Sequence, residues 1–425
     1  MKKIISFCSI LILLTAFFFA KNIHAQGSTA SDTVIMGASY ANEIYYSMAN
    51  GKILTSPRNS WDIAFRTKKF SSSILTNDGM GVVLYTYPKS GITGWAAMDT
   101  SGFASWTPMY NDPLDWENGA FSRNAKGYPD YGWAVYNEIT HDLLADSLYV
   151  IKLRDGSFRK LWIVDKHSVQ ATFHFRFARL DGSDEHTDTL NLSNDLATDF
   201  VGFSLQTNQR VDFQPLLGSW DMVFTKYMSI QPGGTPYPVV GVLSNPDIKT
   251  NRFYPVPLTY TNWQANPWDS LRSAVGYDWK VLDNQTYTYT LKDSLVYFIQ
   301  PLNKDIYKLY FTAYAGSTSG FIGFTREKLL SFGITEPSLR GLNVTVFPNP
   351  VRATLHLLVS GQTGDEIHIV LSDLSGRQLG ADHPGRLTEG PNQFSFDVAG
   401  FNPGVYFVTV STAATKAVTK VIIIR

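Results

Sequence analysis

Residues able to do chemistry are few and scattered. Beyond position 25 the chain has seven histidines, His141, His167, His174, His186, His356, His368 and His383. No two of them form an HExxH, HxH or HxxxH pair, and His167 and His174 stand seven positions apart around an expected turn, so no metal site is expected. The lone cysteine, Cys8, lies in an apolar N-terminal run. Disulfides, thiolate metal sites and cysteine nucleophiles are thereby excluded from the remainder. Gly-x-Ser-x-Gly is absent, as are a Ser-x-x-Lys with a plausible partner set and a glycine-rich phosphate loop. The carboxylates of Asp112, Asp115, Glu117 and Asp130 fall in loops, where acidic residues are the ordinary surface of a β protein. The expected class is a binding protein and not an enzyme.

Aromatic residues are the other resource, at 14% of the chain. Trp95, Trp106 and Trp116 in one loop region, and Trp263 and Trp268 in another, occupy equivalent positions in an internal repeat. Such tryptophans either form a planar platform for sugars, peptides or porphyrins or plug the ends of sheets. Trp61 and Trp220 instead read as core residues with period-two partners. His174 alternates with three phenylalanines in Thr172-Phe-His-Phe-Arg-Phe177, which puts it with Arg176 on the solvent face of a strand.

The elements that position these residues are strands. Short alternating runs such as 148–153, 158–164, 172–178, 287–291 and 307–314 are separated by polar or glycine-containing turns. Asn59-Ser-Trp-Asp-Ile-Ala-Phe65 recurs as Gly218-Ser-Trp-Asp-Met-Val-Phe224, and later segments around Trp133 and Asp146 recur in order around Trp279 and Asp293. The expected fold class is mostly β, with two tandem antiparallel β modules over 26–190 and 195–333 and a C-terminal immunoglobulin-like β-sandwich over 341–425. In that third part Phe347-Pro-Asn-Pro350 must end a strand, because two prolines deny ladder donors.

Lys+Arg and Asp+Glu are 36 each, so no net field recruits nucleic acid. Residues 1–25, with Lys2 and Lys3, an apolar run and Ala25, read as a secretory signal peptide, and no transmembrane span is expected in the mature chain.

The tail closely resembles the C-terminal sorting domain of the type IX secretion system. The matching pieces are Phe347-Pro348-Asn349-Pro350-Val351, the Ser372-Asp-Leu-Ser-Gly376-Arg377 turn, Gly400-Phe-Asn-Pro-Gly404-Val-Tyr406, and the basic-apolar terminus containing Lys420. The resemblance implies that this machinery is a partner and that the protein is secreted or held at the outer-membrane surface.

The repeated modules resemble the HmuY-like haem-binding family through Ser60-Trp-Asp-Ile-Ala-Phe65, Thr76-Asn-Asp-Gly79, the Trp133 segment, and Tyr149 to Gly156 leading into Lys160-Leu161. Module two repeats Trp220-Asp-Met-Val-Phe224 but has Met228-Ser-Ile-Gln-Pro-Gly-Gly234 in place of the Thr-Asn-x-Gly stretch. This resemblance implies haem, or a similar planar ligand, as cofactor, held by paired axial histidine or methionine side chains on loops. His141, Met80, Met98 and either Met222 or Met228 are the axial candidates. An adhesin that grips glycan or a host or surface protein through its loop tryptophans is the alternative.

Overall fold

In the computed structural model, residues 29–330, 342–379, 383–388, 390–413 and 415–425 are described; residues 1–25, expected from the sequence to be a signal peptide, and residues 331–341 lie outside them. The described residues form antiparallel strands, and their only helices are short 3-10 turns.

Two β-sandwiches share residues 29–330. One comprises residues 58–214. Its four-stranded sheet has the order Gln209–Val211, Phe200–Ser204, Ile63–Arg66, Ile74–Thr76. This sheet covers a seven-stranded one built around the hairpin Phe158–His167 and Thr172–Arg179. Phe65, Phe173, Phe175, Phe203 and Trp133 fill the space between the two. Phe173, Phe175 and Phe177 are fully buried while His174 stays partly exposed, so the alternation predicted for that strand holds.

The other sandwich is discontinuous in sequence. Its four-stranded sheet joins Met222–Ile230 and Pro236–Ser244 to the hairpin Asn42–Ser47 and Gly51–Pro57. The facing sheet is closed at its edge by Thr29–Ile35 on Phe321–Leu330. The strand pairing therefore departs from boundaries at 190 and 195. Residues 29–57 belong with the second repeat, and the hairpin Phe200–Ser204 and Gln209–Val211 belongs with the first. A repeat fixes a period but not a phase, and here the N-terminal strand supplies the edge that the last strand lacks.

The repeated Trp-Asp dipeptide explains how each hairpin is held. Asp62, wholly buried, accepts from Leu205 N–H at 2.8 Å and from Arg154 Nε at 2.7 Å. Asp221 accepts from Met48 N–H at 2.6 Å. Each aspartate thus fastens the hairpin that precedes the other repeat's tryptophan. Asn77 Nδ2 donates to the carbonyls of Arg58 and Trp61, and Asn245 Nδ2 to those of Leu217 and Trp220. The second repeat does carry a counterpart of the Asn77 stretch, at Ser244-Asn245, displaced by a longer hairpin.

The two four-stranded sheets also stack back to back through Tyr45, Trp61, Trp116, Phe213, Trp220 and Tyr227. Both their faces are buried, so Ile63–Arg66 and Phe200–Ser204 are buried at every position instead of alternating. Glu43, Arg58, Asp78 and Arg272 are sealed near this junction. Burial raises Glu43 to about 7 against the pull of Arg58, and raises Asp78 to about 6 against that of Arg272.

The tail is a separate sandwich of three strands against four around Leu355, Leu357, Ile369 and Val408. Strand Asn343–Phe347 ends at the Pro-Asn-Pro turn as predicted, and Asn349 clasps the last strand by donating to the Lys420 carbonyl and accepting from Ile422 N–H. Gly376 takes φ 83° in the Asp373–Arg377 turn, a conformation a side chain would strain.

Candidate ligand-binding site

A cleft of about 530 Å³ opens at one end of the first sandwich, lined by the 68–72 loop, Glu117, Asn118, Ser122, Ala125 and Tyr131. It lies within the size range of small-molecule sites. Its loop is fixed from beneath. Lys166, turned into the core, donates to the carbonyls of Lys68 and Ser71 at 2.9 and 2.6 Å, and burial lowers its pKa to about 7. Trp133 Nε1 donates to the Ser72 carbonyl, and Ser73 Oγ to that of Trp116. Holding the loop in one conformation before a ligand arrives reduces the ordering cost of binding.

The chemistry of the rim is amphipathic. Phe70 is 69% exposed, an unusual placement for a phenyl ring, and Tyr131 is half-buried. Lys68 and Lys69 are exposed beside them. Glu117 is the rim carboxylate, and its charge is countered by the buried Arg66 guanidinium at 2.6 Å, which also pairs with Asp199. With Glu117 held in that pair, the two lysines leave the cleft complementary to an anion attached to an apolar body.

The expected axial residues are not gathered here: none of His141, Met80, Met98 or Met228 lines the cleft. His141 is exposed in the 137–142 turn at φ 64°, and its Nδ1 is 2.6 Å from Tyr136 Oη. Met98 is buried among Tyr87, Trp95, Leu148 and Val150. Met222 and Met228 are buried, and half-buried Met80 ends the 3-10 turn Asp78–Met80.

The tryptophans divide. Trp95 and Trp116 are 7% exposed and are core residues, so of the two roles expected for the loop tryptophans these fill the packing one and not the platform. Lys160 and Arg176 approach the Trp95 ring at 4.6 and 4.9 Å, and Trp116 packs on Trp220 at the junction of the sandwiches. The long loops return to cover sheet surface, which is why their aromatics point inward. Trp106, Trp263 and Trp268 remain half-buried, the last two with ring centres 5.6 Å apart.

Sequence reasoning also missed a convergence of histidines. Asp165, His167 and His174 offer ligand atoms all within 4.8 Å of one another, against the expectation of no metal site. The signal was an Asp-x-His followed seven residues later by His, readable only once the hairpin's register is known. Lys68-Lys-Phe70 was likewise a signal without a pattern, since an apolar residue flanked by charges in a connection has no periodic partner.

Residues 345–424 match the secretion system C-terminal sorting domain family. The sequence resemblance of the tail is thereby supported, and the protein is secreted or attached at the cell surface. No curated protein matches the chain. Among solved structures, dimeric latent PorU from Porphyromonas gingivalis is similar at 11% identity and a TM-score of 0.19, with 67% of this chain and 32% of that one covered. Among the described residues, no helix is long and apolar enough to cross a membrane.

Proposed function

We propose that the protein is an exported, non-catalytic binding protein that takes an amphipathic, planar, anionic ligand in the cleft of the first sandwich, with haem as the leading ligand. The observation that supports this reading is the pairing of exposed Phe70 and half-buried Tyr131 with Lys68 and Lys69 on a loop anchored by Lys166. A porphyrin would lay its apolar face on the two rings and its propionates against the lysines, and a phenolate such as that of Tyr131 is a known type of haem-iron ligand. This moves the ligand away from His141 and the methionines. The test is a haemin titration followed in the Soret region. A saturable shift is expected in the full chain, lost or weakened at least tenfold in Phe70→Ala and Tyr131→Ala and unchanged in His141→Ala. An absent shift, or one that both cleft variants retain, removes this reading.

One observation favours an adhesive reading instead. Trp263 and Trp268 form a half-buried pair inclined at 33° on the second sandwich, a surface on which sugar rings stack. Retention on immobilised glycans that Trp263→Ala abolishes, with no haemin shift, is the result that would select it.

A further inference from the structure

We propose that Asp165, His167 and His174 form a binding site for a divalent transition metal such as zinc on the outer face of the first sandwich, with Asp142 as the carboxylate that orients His167. All four are carried on adjacent strands and turns of one sheet. Asp165 and His167 lie two apart on strand Phe158–His167, His174 is directly opposite Asp165 on the next strand, and Asp142 precedes strand Leu143–Ala145, which pairs with Asp165 and Lys166.

A β-bulge creates the arrangement. Leu161 and Ile163 point into the core, so strict alternation would bury Asp165 and His167 as well. The register instead slips between Ile163, opposite Phe175, and Asp165, opposite His174, leaving Val164 as the extra residue. That slip sends Lys166 inward and turns Asp165 and His167 outward beside His174. Bulges recur where a side chain must be re-aimed for function.

The side-chain orientations bring candidate ligand atoms to one point. Asp142 Oδ1 accepts from Ser168 N–H at 3.1 Å, and its Oδ2 lies 3.2 Å from His167 Nδ1. A carboxylate only accepts, so Nδ1 carries a proton, and a cation would be met by Nε2. His167 Nε2 lies 3.8 Å from Asp165 Oδ1. His174 Nδ1 is 2.6 Å from the same oxygen. Donor atoms around tetrahedral zinc stand about 3.3 Å apart, and the two separations bracket that value. Zinc here would bind His167 Nε2, His174 Nδ1 and Asp165, displace the proton shared by His174 and Asp165, and leave a fourth position open to solvent. A histidine held from behind by a carboxylate is the usual support of a metal-bound imidazole.

The test uses the full chain, purified on a tag without histidine, stripped with chelator and titrated with zinc chloride by calorimetry. One zinc per chain is expected, abolished by His167→Ala and by His174→Ala and retained in His141→Ala and His186→Ala. Asp142→Asn should weaken binding about 10–100-fold. Cobalt should give the intense visible bands of tetrahedral coordination, and those bands should vanish in Asp165→Asn. Both rings are partly exposed, so the variants should melt with the parent; if either alanine variant does not, His167→Gln and His174→Gln take its place. No saturable uptake, or uptake that survives loss of both histidines, overturns the proposal.

Discussion

At the scale of single residues, the Trp-Asp pairs are the fasteners of this molecule. Asp62 has no exposed surface and satisfies both a backbone N–H and the Arg154 guanidinium, itself 10% exposed. Replacing it by alanine leaves that cation without its partner, and Asp62→Ala should cost about 3–5 kcal/mol. A urea midpoint within error of the parent would show that Asp62 fastens nothing. Gly79 is the second such position: a Cβ there would lie 1.7 Å from the Lys226 carbonyl oxygen, in the strand of the other sandwich. Gly79→Ala should therefore force the 76–80 turn away from that strand and lower the melting temperature by several degrees. The tryptophans and aspartates of the repeat were legible in the sequence because buried residues recur at a fixed spacing. The partners of Asp62 and Asp221 were not, because the backbone N–H groups they hold come from hairpins more than 140 residues away and Arg154 from 92 residues away.

At the scale of elements, strand Thr29–Ile35 is the closure of the second sandwich. Val34 and the following Met36 are buried, and removal of residues 29–36 would bare the edge of Phe321–Leu330. Met36→Ala should cost about 2–4 kcal/mol, and the truncated chain should be cut by protease in the 321–330 region before the first sandwich opens. Cleavage confined to the first sandwich would contradict this pairing. Neither this strand nor its place was singled out in the sequence: only the unpaired edge at the far end of the repeat determines where it docks. The bulge at Val164 was hidden for a related reason, since one unpaired residue in a strand leaves no mark on composition.

The junction between the four-stranded sheets carries a pH signature. Burial raises Glu43 to about 7 and Asp78 to about 6, and burial of Asp221 in its hairpin clasp raises it to about 6. Each is above its value in the unfolded chain, about 4. Lys166 and Lys280, both lowered to about 7 by burial, oppose this trend above pH 7; from pH 7 to 5 the carboxylates make the folded state hold more protons, so stability rises as pH falls over that interval. The melting temperature should increase over that interval, and Asp221→Asn should flatten the increase. A melting temperature that falls steadily from pH 7 to 5 would show that these carboxylates stay ionised in the fold.

At the scale of the whole molecule, two stacked sandwiches and a sorting tail divide the labour. The tail was the most legible part, because its Pro-Asn-Pro and glycine turns are local devices whose geometry depends on neighbours in sequence. Deleting residues 342–425 should leave the body folded, with unchanged melting, and abolish its appearance outside the cell in fractionation of the native host. Undiminished export would assign the address to another segment. The cleft was the least legible part. Lys68, Phe70 and Tyr131 acquire a common role only through Lys166 and Trp133, which reach the 68–72 loop from strands about 60–100 residues later.

The most direct measurement is the number of haemin equivalents that the full chain takes up at saturation, read from the Soret band. One equivalent is expected, because the cleft and its two lysines belong to the first sandwich alone, and it should be lost in Phe70→Ala combined with Tyr131→Ala. Two equivalents would mean that both repeats bind through elements they share, and none would end the haem reading.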